Sequence, residues 1–295
     1  MSLLFSSQAE PSALQFGGKA IGKLDVGGMA LTTVTLIAAF LWAFPLYWAL
    51  ITTLKPEYEV IESGISLWPR DFTFGAYVHV FVNTTIGLWY INSLVTSSMV
   101  TVLVVGMSAT CGYAISQLHF PGRRLLWWLI LGSFMVPVQA LIVNHFILAS
   151  QFKIINSWLG VVMPQLIAPV TVIVYKQFFD SIPRDFREAA LMDGATEFQL
   201  FFRLYLPMNW GVTTALAIIT FIAAWNAFFW PFLVTTTEDK FNVAVGITQV
   251  HDAFGIQYAR VLAGAIMAGL PVAVVYLIFQ RRVTQAIMLT AGIKG

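Results

Sequence analysis

The chain has 295 residues, 58% of them hydrophobic and only 10% charged, with a formal net charge of +2. Soluble domains carry about 25% charged residues, so this composition excludes an ordinary soluble protein, and so small a net charge gives no footing for nucleic-acid binding. The single cysteine, Cys111, excludes an intrachain disulfide and reads as a packing residue.

Residues 1–25 are polar, contain Gly17-Gly18, and read as a cytoplasmic lead. Six apolar runs follow, at 26–54, 89–116, 125–149, 158–175, 209–234 and 261–280. A helix of about 20 apolar residues crosses ~30 Å of hydrocarbon, so each run predicts a membrane span. The first is too long for a cleaved signal peptide and lacks a small-residue cleavage pattern. It contains Pro45, a kink that neighbouring helices can accommodate. The segment 55–88 is the longest outer connector, and Trp68, Phe72, Phe74, Tyr77 and Phe81 suggest aromatic packing at an interface. Span two carries Ser93, Ser97, Thr101 and Ser108 on one helical face, a stripe that suits either helix packing or a polar path. Pro137 interrupts span three ahead of Gln139, Asn144 and His145, and span four carries Pro164, Gln165 and Pro169. Span five ends in the aromatic run Trp225 to Pro231, and span six is rich in small residues that allow close backbone packing.

The distribution of Lys and Arg sets the expected orientation. With the N-terminus inside, eleven of the sixteen basic residues fall on the cytoplasmic side and five outside. Both termini are therefore expected in the cytoplasm, with 55–88 and 235–258 outside. The fold class expected is all-α: a lead of residues 1–25 and a six-span membrane domain, 26–295, holding one charged cytoplasmic loop.

That loop is 183–207, where Arg184, Asp185, Arg187, Glu188, Asp193, Glu197 and Arg203 cluster between nearly uncharged runs. Pro183 suits the first turn of a helix running to Asp193. Gly194 stands where such a helix stops, because glycine enters the left-handed conformation without a Cβ penalty. Thr196 and Gln199 form a plausible capping box for a second helix, which Pro207 closes. Two short helices joined by a glycine bend are predicted on the membrane surface.

Glu188-Ala189-Ala190, Gly194, and Leu206-Pro207 after a branched aliphatic residue resemble the EAA motif of ABC-importer permeases. Leu204 stands where that family usually has Ile. Asn92-Ser93-Leu94, Phe120-Pro121-Gly122-Arg123, Gln177-Phe178-Phe179, Trp225-Asn226 with Trp230-Pro231, and the tail from Thr290 look like the carbohydrate-import branch, in particular its MalG-type subunit. The likeness runs from about residue 27 to the end. It implies an inner-membrane subunit that pairs with a second permease subunit, in a heterodimer, around a central cavity. An extracytoplasmic sugar-binding protein would deliver cargo, helped by the outer 235–258 loop. Two ATPase subunits would hold ATP and Mg, leaving this chain without a cofactor. Glu188, Ala189, Ala190, Asp193, Gly194, Leu206 and Pro207 would then be the ATPase-coupling residues, and Gly292, Lys294 and Gly295 a tail that touches the ATPases.

The residues themselves argue against catalysis: HExxH, GxSxG, phosphate-binding GxxxxGK[ST] and Cys/His clusters are all missing. The rival class is an ion- or proton-coupled secondary transporter, which usually places ionisable residues within the membrane. The six spans hold no Asp, Glu, Lys or Arg, and only His145 can titrate there. For an uncharged polar cargo such as a sugar, Gln139, Asn144, His145 and Asn226 are the candidate path residues, with Ser97 and Thr101 behind them.

Overall fold

The computed structural model describes residues 26–63, 66–250 and 257–290. The lead 1–25, residues 251–256 of the outer loop, and Gly292, Lys294 and Gly295 of the tail lie outside the described residues. Every regular element among the described residues is a helix. The chain divides into two compact units, Met1–Tyr47 and Trp48–Gly295.

The described part of the first unit is most of helix α1 (Val26–Thr53), which continues through Pro45. Thr32, Thr33 and Thr35 turn their hydroxyls back onto carbonyls four residues earlier, at 2.8 to 2.9 Å. Those groups are satisfied within the helix, and Leu31, Phe40, Trp42 and Leu46 stand exposed around them. Such a surface suits hydrocarbon, where backbone and side-chain polar groups must be paired internally.

In the second unit, the expected outer connector holds α2 (Glu57–Ser63) and α3 (Gly75–Asn83). Carboxylates organise it: buried Glu59 accepts from the N–H groups of Arg70 (2.9 Å) and Asp71 (3.2 Å). The Phe72 and Phe74 rings meet edge-on at 5.1 Å, and both remain exposed.

The axis of this unit is α4 (Ile86–Gln117), 32 residues with no proline or charge to interrupt it. Parallel to its C-terminal half runs the second part of a bent pair, α7 (Trp158–Val162) and α8 (Pro169–Asp180). Gly112 lets them meet: a Cβ there would lie 2.8 Å from Tyr175 Cβ and 3.1 Å from the Lys176 backbone nitrogen. Close backbone approach drives association where lipid removes the hydrophobic contrast. Antiparallel to α4 lies α12 (Trp210–Trp225), whose Trp225 Nε1 donates to Ala268 O of the last helix, α15 (Tyr258–Thr290), at 3.2 Å. Ser93, Ser97 and Ser108 are buried, and Ser93 Oγ accepts from the Val243 N–H at 2.8 Å.

Among the described residues, three helices are long and apolar enough to cross a membrane, and three bent pairs would raise the number to six. The bends are what the sequence reading smoothed over. Helices α5 (Arg123–Phe134) and α6 (Ile142–Gln151) are joined through Pro137 and a 3₁₀ turn, at 95°. The α7–α8 pair turns 50° just before Pro169, and α8 continues five residues past the expected end at 175, to Asp180. The expected span 209–234 is not continuous. It breaks after Trp225 and resumes as α13 (Phe229–Val234). Pro231 has no N–H for the carbonyl of Ala227, and Asn242 Nδ2 donates to that oxygen at 2.8 Å instead. A further short helix, α14 (Val243–Gly246), follows directly after Asn242.

Candidate functional site

Helix α9 (Arg184–Met192) begins directly after Pro183, with Asp185 in its first turn where the helix dipole favours an acid. It ends as expected at Gly194, whose φ is +80°. The N–H groups of Gly194 and Ala195 bond the carbonyls of Leu191 and Ala190, both at 3.0 Å, which is the double bond of a Schellman cap. The capping box is present too: Gln199 N–H donates to Thr196 Oγ1 (3.3 Å), and Thr196 N–H donates to Gln199 Oε1 (2.9 Å).

Pro207 does not close the second helix. The chain runs helically from α10 (Glu197–Gln199) through a wide π turn, Leu200–Tyr205, into α11 (Leu206–Met208). The π winding shifts the pairing by one residue, with Leu206 N–H on Phe201 O, and so re-satisfies backbone groups around a proline. The helical run then turns 78° into α12.

An ionic clamp crosses the glycine bend. Arg187 donates to both carboxylate oxygens of Glu197, at 3.0 and 2.5 Å. Tyr113 of α4 donates to Glu197 Oε2 at 2.6 Å, and Arg187 Nη1 approaches its hydroxyl at 3.4 Å. The bond to Arg187 holds the Glu197 carboxyl below the usual carboxylate range, and the same bond raises the guanidinium. Beneath lies an aromatic cluster in which Tyr113, Phe179 and Tyr205 meet edge-on at 5.1 to 6.1 Å. Tyr205 donates to Gln117 Oε1 (2.7 Å), and Ser116 donates to Asp180 Oδ1 (2.6 Å). The bend is thus anchored to the C-terminal end of α4.

Of the residues expected to couple, Ala190, Asp193 and Gly194 line a 460 Å³ hollow with Gln199 and Arg203. Glu188 lines a separate polar cleft of 590 Å³ with His119, Arg123, Asp180 and Arg184. Ala189 and Pro207 are exposed and Leu206 is half-buried, outside both. Met192 is 89% exposed, and Phe186, Leu191 and Phe198 are exposed around it, an apolar patch on a charged segment. The sequence reading missed the roles of Arg187, Glu197 and Tyr113. The charges at 187 and 197 flank the glycine and could have been paired by that turn, but nothing local marks Tyr113.

The expected path residues are not gathered in one cavity. Gln139, Asn144 and Asn226 are exposed, and His145 meets the Trp230 ring edge-on at 6.0 Å. Ser97 is fully buried, its hydroxyl without a partner among the described residues, and Thr101 donates to the Ser97 carbonyl at 2.7 Å. A 530 Å³ cavity between α4, α8 and α12 is lined by Val100, Val104, Thr171, Leu216 and Thr220, and by none of the six.

A family described as the inner membrane component of binding-protein-dependent transport systems matches residues 103–287. The arabinooligosaccharides transport system permease protein AraQ of Bacillus subtilis is 32% identical over 92% of this chain and 98% of its own. The diacetylchitobiose uptake system permease protein NgcG of Streptomyces coelicolor is also 32% identical, over 82% of each chain. The fold is shared with a chain in the crystal structure of a bacterial ABC transporter that imports the acidic polysaccharide alginate. There the TM-score is 0.79 at 21% identity, covering 87% of this chain and 96% of the other. The extended coverage and the matching membrane helices have one reading: this chain belongs to the inner-membrane permease subunits of binding-protein-dependent ABC importers.

Proposed function

We propose that the chain forms half of the translocation path of an ATP-driven importer for a carbohydrate. The cargo class rests on relatives named for arabinooligosaccharides and diacetylchitobiose. A second permease subunit supplies the other half, an extracytoplasmic binding protein delivers cargo, and two ATPase subunits carry ATP and Mg. The chain crosses the membrane six times, counting each bent pair once, with both termini and 183–207 in the cytoplasm. Residues 1–25 form a cytoplasmic lead to the domain 26–295.

The observation that carries the coupling role is the clamped bend. A docking helix passes on motion only if its angle and its attachment are both fixed. The Schellman cap at Gly194 supplies the angle, and Arg187, Glu197 and Tyr113 supply the attachment to α4. The exposed Phe186, Leu191 and Met192 give an ATPase an apolar contact, and Glu188, Ala189, Ala190 and Asp193 give close approach and charge. Leu206 and Pro207 join the segment to α12. When the ATPases close, α9 is displaced, α4 moves with it, and α8 and α12 follow through their packing. The cavity walls then shift around cargo that the exposed Gln139, Asn144 and Asn226 and the half-buried His145 would meet, with Ser97 and Thr101 behind them. Gly292, Lys294 and Gly295 are proposed to touch the ATPase pair.

The test is uptake together with ATPase activity in vesicles reconstituted with the whole complex, for Gly194→Val and Glu188→Lys. A β-branched residue at φ +80° strains the bend. Both variants should insert and pair normally, yet lose transport or cargo-stimulated hydrolysis. Normal uptake and stimulation in both would remove the coupling role.

A further inference from the structure

We infer that the chain carries a binding site for one anionic phospholipid headgroup between the first turn of α5 and the C-terminal half of α8. The site is a 480 Å³ cavity lined by Phe120, Arg123, Arg124, Trp127 and Lys176, and no acidic residue lines it. Each cation is held differently. Arg123 donates to the carbonyls of Leu118 (3.0 Å) and Ser116 (3.3 Å), which lays its guanidinium along the end of α4. Lys176 sits 4.9 Å from the centre of the Trp127 ring and pairs with Asp180, a carboxylate that also accepts from Ser116. Arg124 is exposed and has no hydrogen bond or ion pair among the described residues. Three cations thus line a cavity without an acidic wall; of the carboxylates beside it, Asp180 already has two partners, and Glu188 shares only the adjoining cleft with Arg123.

The chemistry that matches is a phosphate diester at membrane depth. Its oxygens accept from Arg124 and from the remaining donors of Lys176, and a basic pocket between membrane helices favours anionic over zwitterionic lipid. Trp127 is half-buried beside the cations, where an amphipathic ring packs against glycerol and ester groups. Further along α5, Leu125, Trp128 and Leu129 are exposed and apolar, a surface for acyl chains that a soluble anion would not need. The uncapped start of α5 after Gly122 adds partial positive charge at the same place. The inference uses the membrane setting that family membership gives, and neither the cargo nor the orientation of the chain.

Native mass spectrometry of the full chain in detergent, titrated with phosphatidylglycerol or phosphatidylcholine, tests it. Wild type should retain one phosphatidylglycerol in preference to phosphatidylcholine. Arg124→Gln should weaken phosphatidylglycerol about fivefold, the usual contribution of one basic residue at an anionic surface, and leave phosphatidylcholine unchanged. Arg124→Lys should restore most of the loss, which separates charge from folding. Equal retention of the two lipids by wild type, or equal phosphatidylglycerol binding by Arg124→Gln, would overturn the site. Inorganic phosphate binding as tightly as the lipid would make it a free-anion pocket. Loss of the retained lipid when the ATPase subunits assemble would assign the pocket to a protein partner.

Discussion

The two ends of α4 are tied down by different chemistry. At the N-terminal end, Trp89 Nε1 donates to Glu238 O (3.1 Å), and Asn92 Nδ2 donates to Asp239 O (2.8 Å) and Phe241 O (2.9 Å). Trp158 Nε1 donates to Asn92 Oδ1 at 2.9 Å. Every one of these bonds is neutral, and Trp89 and Asn92 are buried. At the C-terminal end, Tyr113 and Ser116 bind carboxylates, and Glu197 is 45% exposed. Buried neutral bonds are costly to break and indifferent to pH and salt. Charge-assisted bonds at an exposed edge are directional but can be loosened by water, protons or a partner. The helix is therefore fixed at its N-terminal end and adjustable at its C-terminal one.

The contrast is most exposed to Asn92→Leu, which strips partners from two carbonyls and an indole N–H in a buried site. The cost should be about 3 kcal/mol, since each buried polar group left unpaired costs roughly 1–3 kcal/mol. Denaturant unfolding in mixed micelles would read it, and a loss below that of any variant at the C-terminal end of α4 would break the comparison.

A smaller effect is expected from Tyr113→Phe. It deletes one partly exposed bond to Glu197, for about 1 kcal/mol. Its more telling signature is coupling to Glu197→Gln in a double-mutant cycle, because residues in one network are not additive. Strict additivity would show that Tyr113 is packing alone.

The smallest effect is a pH dependence. The folded-state pKa of Glu197 is lowered, chiefly by Arg187. The clamp therefore contributes fully above the unfolded carboxylate value and weakens as pH falls through the lowered one. The distance between spin labels placed at Met192 and His119 should hold from neutrality to about pH 5, near the ordinary carboxylate range, and widen only below it. Glu197→Gln should widen it at every pH. Widening of the wild type near neutrality would show that the clamp does not depend on this carboxylate.

The same contrast explains what could be read in advance. The stop at Gly194 and the Thr196–Gln199 box are local patterns, and both stand in the structure, as do the apolar runs that became the single helices α1, α4 and α15. The breaks were harder to read. Pro137 announces a bend but not its 95°, and the gap after Trp225 depends on Asn242, fifteen residues from the carbonyl it serves. Tyr113 meets Glu197 from 84 residues away, and a lone tyrosine in an apolar run carries no trace of that. Pro207 misled because the wide turn ahead of it absorbs the missing N–H. The exposed amides of Gln139, Asn144 and Asn226 were recognisable as polar groups in apolar runs, but the fold does not gather them in one cavity.

At 1.5 Å per residue, the 32 residues of α4 span about 48 Å, well beyond the ~30 Å of hydrocarbon. One unbroken rod can therefore stand in both aqueous layers. Under the function proposed above, a docked binding protein and the ATPases would act on opposite ends of one stiff object, and the delay between them would be set by how fast that helix tilts.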